Sequence, residues 1–538
     1  MTKDRLYIFD TTLRDGAQTA GIEFSLEDKI SILALLEQIG VDYIEGGYPG
    51  ANPVDTEFFT QRRTNKAIFT AFGMTKRAGR SAANDPGVQG LLNSSADAAC
   101  FVAKTWDRQV AVALEIGLEE NLANLRETVE ASVAAGKETL IDCEHFFDGF
   151  KANRDYALAC VTTAIAAGAR WVVLCDTNGG TMPSEISDIV RQVLAVAPGG
   201  KLGIHAHDDT GQAVANTLAA VQAGVRQIQG TLNGIGERCG NANLVTLIPT
   251  LMLKPAFGDK FETGIDRTSL ARLTQISRAF DDRLNRAPAR QAPYVGASAF
   301  ATKAGIHASA LAKDFSSYEH VPPESIGNER AIMVSQQAGK SNLLTALARH
   351  NIVLAKDDPR LESLLATVKE RESIGYSYDG ADASFAILAR RVLGTLPDFF
   401  QVESYRASVE LRHNARGEEA IVTEAVVKIR VEDELLMSVA EGNGPINALD
   451  LAMRKDLGKY SRDIEDLELV DFKVRILDGG TGAVTRVLVE SRDGTGERWY
   501  TIGVSPNIID ASFEALYESI TYKLLKAAAA RPTTAVVA

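Results

Sequence analysis

Gly203-Ile204-His205-Ala206-His207-Asp208-Asp209 joins a short apolar run to two histidines. The preceding Lys201-Leu202 extends that run into what reads as a buried strand. Side chains two residues apart on a strand point to the same face. His205 and His207 therefore leave the strand end side by side, able to ligate one divalent ion through neutral imidazole nitrogens. The alternative is two unrelated polar residues in a loop. What the other strand ends carry discriminates between the two.

Seven further runs share this texture: 7–9, 43–45, 67–72, 98–102, 139–143 and 171–175 before it, and 227–230 after it. Between them, helical patterns cover 25–39, 121–135, 157–167, 183–196 and 213–223. In the first of these, Ser25 stands at an N-cap with Glu27 and Asp28 in the first turn. Eight strands, each followed by a helix or connecting segment within about 250 residues, predict an α/β fold closed as a TIM (β/α)8 barrel. A doubly wound open sheet is the second arrangement. The glycine-rich turns lack the strand–GxGxxG–helix order that it favours.

Such a barrel collects chemistry at the C-terminal ends of its strands. Those ends carry Asp10, Arg14 and Asp15, then Glu45, Glu144, Asp176 with Thr177, and His205 with His207. After the eighth run comes Asn233-Gly234-Ile235-Gly236-Glu237-Arg238-Cys239-Gly240-Asn241. The opposite ends are mostly Gly, Lys and Arg. This asymmetry predicts an enzyme with a metal at the barrel mouth in preference to a structural barrel.

The 538 residues include 57 basic and 70 acidic side chains, a net charge of -13, and are 45% hydrophobic. That balance argues against a nucleic-acid surface. No apolar run is long enough for a bilayer, and Met1-Thr2-Lys3-Asp4-Arg5 lacks a signal-peptide apolar region. Cys100, Cys143, Cys160, Cys175 and Cys239 form no Cys-x-x-Cys pair, which predicts reduced cysteines in a cytoplasmic protein.

The expected domains are the catalytic barrel over 1–270, helical linker subdomains over 271–398, a C-terminal α+β domain over 399–530, and a tail over 531–538. The linker opens with a helix over 266–284 and a long irregular stretch over 295–332 that holds His307 and Tyr318. Two helices follow within 359–392. The last domain shows an internal repeat: strands 425–431 and 435–441 with helix 445–457, echoed by 485–491, 498–504 and 508–525. This predicts two ββα units. The glycine-rich loops 441–444 and 478–482 are either ligand-holding amide loops or plain turns.

Phe9-Asp10-Thr11-Thr12-Leu13-Arg14-Asp15-Gly16-Ala17-Gln18, the His205/His207 pair and Gly236-Glu237-Arg238-Cys239-Gly240-Asn241 together resemble the 2-isopropylmalate, homocitrate and citramalate synthases. These are metal-dependent, Claisen-condensing TIM-barrel enzymes, and the resemblance spans nearly the whole chain. Glu45-Gly46-Gly47-Tyr48-Pro49-Gly50 and residues 144–153 look most like the family's (R)-citramalate branch. That branch implies condensation of acetyl-CoA with pyruvate and water, on a route to isoleucine. Larger 2-oxo acids, 2-oxoisovalerate towards leucine or 2-oxoglutarate towards homocitrate, are the alternatives.

The resemblance also implies roles. Asp15, His205, His207 and Asn241 would ligate a divalent metal (Mn, Mg, Co or Zn), with acetyl-CoA as co-substrate. Arg14 would stabilise negative charge developing on oxygen, oriented by Glu45 unless that pair is only a structural ion pair. Thr177 would bind the oxo-acid carboxylate, and Gln18 would lie near the substrates. Glu144 would act in proton transfer with His307 and Tyr318, which reach from the linker into an active site of the same or a second subunit. Alternatively those two line the acyl-CoA pocket. The C-terminal domain would bind the end-product amino acid, isoleucine, in a homodimer, with neither nucleic acid nor membrane as partner. A lyase running the reaction backwards and a catalytically dead amino-acid sensor are disfavoured, the first by the linker and C-terminal domain, the second because no ligand is missing.

Overall fold

The computed structural model describes residues 3–284, 286, 288–302, 305–311, 313–332, 340–413, 419–477 and 483–530. The chain packs as two compact units. One takes in residues up to 300 together with 320–330; the other takes in 301–319 and everything from 331 onward. The stretch expected as a separate linker is thus shared between them.

In the first unit, eight parallel strands close on themselves: β1 (Tyr7–Asp10), β2 (Tyr43–Glu45), β3 (Ile68–Met74), β4 (Ala98–Lys104), β5 (Glu138–Glu144), β6 (Trp171–Asp176), β7 (Leu202–Ala206) and β8 (Gln227–Gly230). Ile8 pairs with Ile228 where β8 meets β1. Alternation along each strand divides the side chains between two cores. Leu140, Trp171, Val173, Phe9 and Tyr43 fill the barrel interior, whereas Ile141, Val172, Leu174 and Ile204 face the helices. Each such fully buried aliphatic contributes about 1.5–3 kcal/mol. At the interior's floor the Tyr43 hydroxyl donates to Glu138 (2.6 Å) and accepts from the Trp171 indole (3.0 Å).

The first barrel helix, Leu26–Ile39, starts where Ser25 and Asp28 cap each other's backbone and buries Ile32, Leu33 and Leu36. The single helix expected over 266–284 is two, Arg267–Leu270 and Leu273–Arg283. The break coincides with tertiary packing. The segment 326–327 lies against it, with the Thr274 hydroxyl donating to the Ile326 carbonyl at 2.7 Å.

In the second unit, two antiparallel sheets each lead into a helix. The first comprises β9 (Gln401–His413), β10 (Glu419–Val431) and β11 (Glu434–Gly442), then the helix Pro445–Lys455. The second comprises β12 (Glu468–Ile476), β13 (Thr485–Arg492) and β14 (Arg498–Ser505), then the helix Ile508–Ala530. Each repeat is therefore βββα, one strand more than the expected ββα. The extra strands, β9 and β12, are edge strands whose apolar residues (Tyr405, Ala407, Val409 and Leu411; Phe472, Val474 and Ile476) alternate with polar ones, so the period-two signal was present in the sequence. Side chains also join them to their neighbours, as where Arg430 on β10 donates to Glu403 on β9 at 2.8 Å. Loop 441–444 is the turn into the first helix; loop 478–482 and the tail 531–538 lie outside the described residues. Among the described residues no helix is long and apolar enough to cross a membrane.

Candidate active site

The C-terminal end of β1 is tied down by its own side chains. Asp10 accepts from the Thr12 amide (2.9 Å) and hydroxyl (2.8 Å), while the Asp15 amide donates to the Thr11 carbonyl (2.8 Å). Burial pushes the Asp10 carboxyl up to about 7 against those Thr12 bonds, so Asp10 serves the turn. The turn presents Arg14 and Asp15 in adjacent positions. Arg14 donates through Nε to Glu45 Oε2 (2.7 Å), pairs through Nη1 with Asp15, and lies with its guanidinium 3.8 Å from the Phe72 ring centre. Glu45 is fully buried. Desolvation drives its carboxyl above the usual range, and the Arg14 charge opposes that rise.

Opposite Arg14, four side chains from three loops converge. His205 Nε2 lies 3.3 Å from His207 Nε2, 3.6 Å from Asp15 Oδ2 and 3.2 Å from the Asn241 amide nitrogen. Burial works against the Asp15 charge, yet Arg14, His205 and His207 together hold its carboxyl below the usual range. Burial and then the neighbouring His205 push His207 down to about 3, which keeps its ring neutral. Asn241 Oδ1 and His207 Nδ1 are buried without hydrogen-bond partners. Turning the Asn241 amide over brings that orphaned oxygen to the same point. One anion, two imidazoles and an amide oxygen form a donor set suited to a divalent ion.

Gly236 makes room for this arrangement. A Cβ there would stand 1.9 Å from Asn241 Oδ1. Gly236→Ala is therefore expected to displace Asn241 and weaken Mn2+ binding about 10–100-fold, as loss of a supporting group does. Electron paramagnetic resonance of the free ion measures this, and unchanged affinity would remove Asn241 from the ligand set.

The remaining expected residues are Thr177, Glu144, Gln18, His307 and Tyr318. Thr177 Oγ1 accepts from the His145 amide at 2.8 Å, and its own O–H remains able to donate. Arg238 fastens the neighbouring loops, gripping Asp209 at 2.7 and 3.0 Å and the Thr177 carbonyl at 2.8 Å. Glu144 ends β5 and forms an ion pair with Lys104 from the end of β4. Gln18 is exposed on the short turn Gly16–Gln18 just after Asp15. His307 and Tyr318 belong to the second unit, where their rings stack with centres 4.3 Å apart.

β5 ends at Glu144, and His145 takes a left-handed conformation (φ 56°). That conformation turns its amide towards Thr177, with its ring beside Trp106 at 5.8 Å.

The polar layer beneath the mouth was missed from the sequence. Asp142 on β5, Cys100 on β4 and Gln229 on β8 all point inward and are buried. Glu45, Cys100 and Asp142 place ligand-type atoms within 4.8 Å of one another. That cluster already has a cation, since Arg14 pairs with Glu45 Oε2. Period-two counting from Leu140 inside the barrel reaches Asp142 and then Glu144, and from Gln227 it reaches Gln229, so the signal was present.

Residues 5–276 match the HMGL-like family, 294–374 the homocitrate synthase post-HMGL domain-like family, and 379–524 the LeuA allosteric (dimerisation) domain. Full-length relatives are also found. The chain is 46% identical over 534 residues to an (R)-citramalate synthase of Synechocystis sp., covering 97% of this chain and 96% of the relative. It is 48% identical over 534 residues to that of Streptomyces coelicolor, covering 98% of each. With that of Aquifex aeolicus the identity is 45% over 528 residues, covering 97% and 98%.

Proposed function

The chain belongs to the (R)-citramalate synthase family of HMGL-like proteins, and from that membership we propose that its barrel mouth condenses acetyl-CoA with pyruvate and water to give (R)-citramalate and free CoA. The observation that carries the chemistry is the convergence of Asp15, His205, His207 and Asn241 beside an Arg14 held by Glu45. A divalent ion bound by those four groups would supply Lewis acidity to the ketone and carboxylate oxygens of the 2-oxo acid.

The protein's own groups account for the rest. A proton leaves the thioester methyl for a base, the resulting carbanion forms a C–C bond to the ketone carbon as the C=O π bond breaks, and the ketone oxygen takes the negative charge and then a proton to become the hydroxyl. Arg14 faces that oxygen with a preorganised, partly desolvated cation. The Thr177 hydroxyl binds the carboxylate. Water then cleaves the thioester, releasing CoA as the thiol. Glu144 is assigned as the base, with Lys104 beside it holding the carboxylate in place. The His307–Tyr318 pair is assigned to the same proton transfers.

The test is thiol release from acetyl-CoA, in Mn2+ or Mg2+ buffer, against pyruvate, 2-oxobutyrate, 2-oxoisovalerate and 2-oxoglutarate. Pyruvate is expected to be preferred. One methylene in an apolar pocket is worth about 10–200-fold, so the contrast is measurable. Preference for 2-oxoisovalerate would move the protein to leucine synthesis, and no release with any acid would overturn the condensation. The match to the LeuA allosteric (dimerisation) domain supports a homodimer regulated by an end-product amino acid. We assign isoleucine as that effector and the cytoplasm as the place of action; inhibition of the full-length chain by isoleucine tests the first.

A further inference from the structure

Gln229 sits at the inner face of β8 with no exposure to solvent and makes two side-chain hydrogen bonds. Its Oε1 meets His205 Nδ1 at 2.8 Å, and its Nε2 donates to Asp142 Oδ1 at 3.2 Å. The chemistry of the three groups leaves little choice about protons. A carboxylate oxygen only accepts, so Asp142 takes the amide N–H₂ side of Gln229. An amide oxygen also only accepts, so the side turned to His205 requires Nδ1–H. With Nδ1 protonated in a neutral ring, the lone pair stands on Nε2. Nε2 is the atom that points at His207, Asp15 and Asn241.

We propose that Asp142 and Gln229 are positioning residues that lock the tautomer and ring orientation of His205, presenting its Nε2 to the metal. Neither residue touches substrate. Both act through His205, and the inference rests on the reading of Asp15, His205, His207 and Asn241 as the metal site. Without the lock, His205 loses a fixed ring plane and spends part of its time with the proton on Nε2. Asp142 has a separate part in this: a neutral amide in its place can donate as well as accept, so it allows Gln229 to turn over.

The test is Mn2+ titration of the full-length, chelator-stripped protein, read by the resonance of the free aqua ion. Gln229→Leu is expected to weaken Mn2+ binding about 10–100-fold, the range known for groups that orient a ligand. Asp142→Asn, nearly identical in shape, is expected to weaken it by a smaller factor. In the double variant the loss should equal that of Gln229→Leu alone, because Asp142 works only through Gln229. Saturating Mn2+ should restore kcat in each. Wild-type affinity in both single variants, with binding abolished in His205→Ala, would overturn the lock and keep the site. Additive losses in the double variant would also overturn it, by showing that Asp142 acts through its charge. Full Mn2+ binding in His205→Ala would overturn the site reading itself. If Gln229→Leu does not fold, Asp142→Asn decides: an unchanged Mn2+ affinity overturns the lock, and a weakened affinity with restored kcat supports it.

Discussion

Arg14→Ala is expected to lower kcat for thiol release by a factor of at least about 10²–10³, the cost of removing a preorganised oxyanion donor. Mn2+ should still bind, because Arg14 contributes no lone pair. Three contacts hold the guanidinium at once: Glu45 Oε2 at 2.7 Å, Asp15, and the face of Phe72. Lysine offers one point charge and cannot reproduce them together, so Arg14→Lys should rescue little. Removing one partner of a buried pair ordinarily costs about 3–5 kcal/mol. Here desolvation already drives the Glu45 carboxyl upward, so it can take up a proton once Arg14 is gone, and the variant should fold. Rate measurement together with metal titration checks both halves. A variant that retains most of the wild-type kcat would reduce Arg14 to a structural ion-pair partner.

Deleting residues 399–538 is expected to do more than abolish an amino-acid response; it should unfold what remains of the second unit. The helix Asp382–Val392 lies before the cut but is held by residues after it. Ser384 Oγ accepts from the Ile502 amide at 2.9 Å, and Asp382 accepts from the Tyr500 amide at 3.2 Å. The Ile502 side chain completes an apolar cluster with Leu343, Leu361, Phe385 and Leu388. Tyr376 donates to Glu514 at 2.7 Å, with Arg371 3.5 Å from the same carboxylate. Losing one large buried side chain costs about 2–5 kcal/mol, and the deletion removes several contacts together. Limited proteolysis should cleave the truncated chain rapidly within 340–398. Protection of that segment would show that it folds without the C-terminal sheets.

Several parts of this protein were legible in the chain alone, because the forces that set them act over short spans. Strand runs followed by helical patterns recur from 7 to 230, and the run expected over 227–230 is β8 residue for residue. The capping box at Ser25 is a three-residue arrangement and needs nothing distant. His205 and His207 share a face because the strand repeat is two residues. The same counting would have exposed Asp142 and Gln229, but buried polar residues read as noise until their partners are known.

The tertiary structure decided the partners. Glu144 meets Lys104, Glu45 meets Arg14, and Gln229 bridges His205 to Asp142, across 24 to 87 positions of chain. It also decided where the linker belongs, since 320–330 packs with the barrel and 331 onward with the C-terminal sheets. The edge strands β9 and β12 carry their own apolar–polar alternation, but the neighbour each pairs with, and the register of that pairing, come from the sheet. Local periodicity determines which face a side chain takes. Barrel closure and strand pairing determine what waits on that face, because those contacts join residues far apart in sequence.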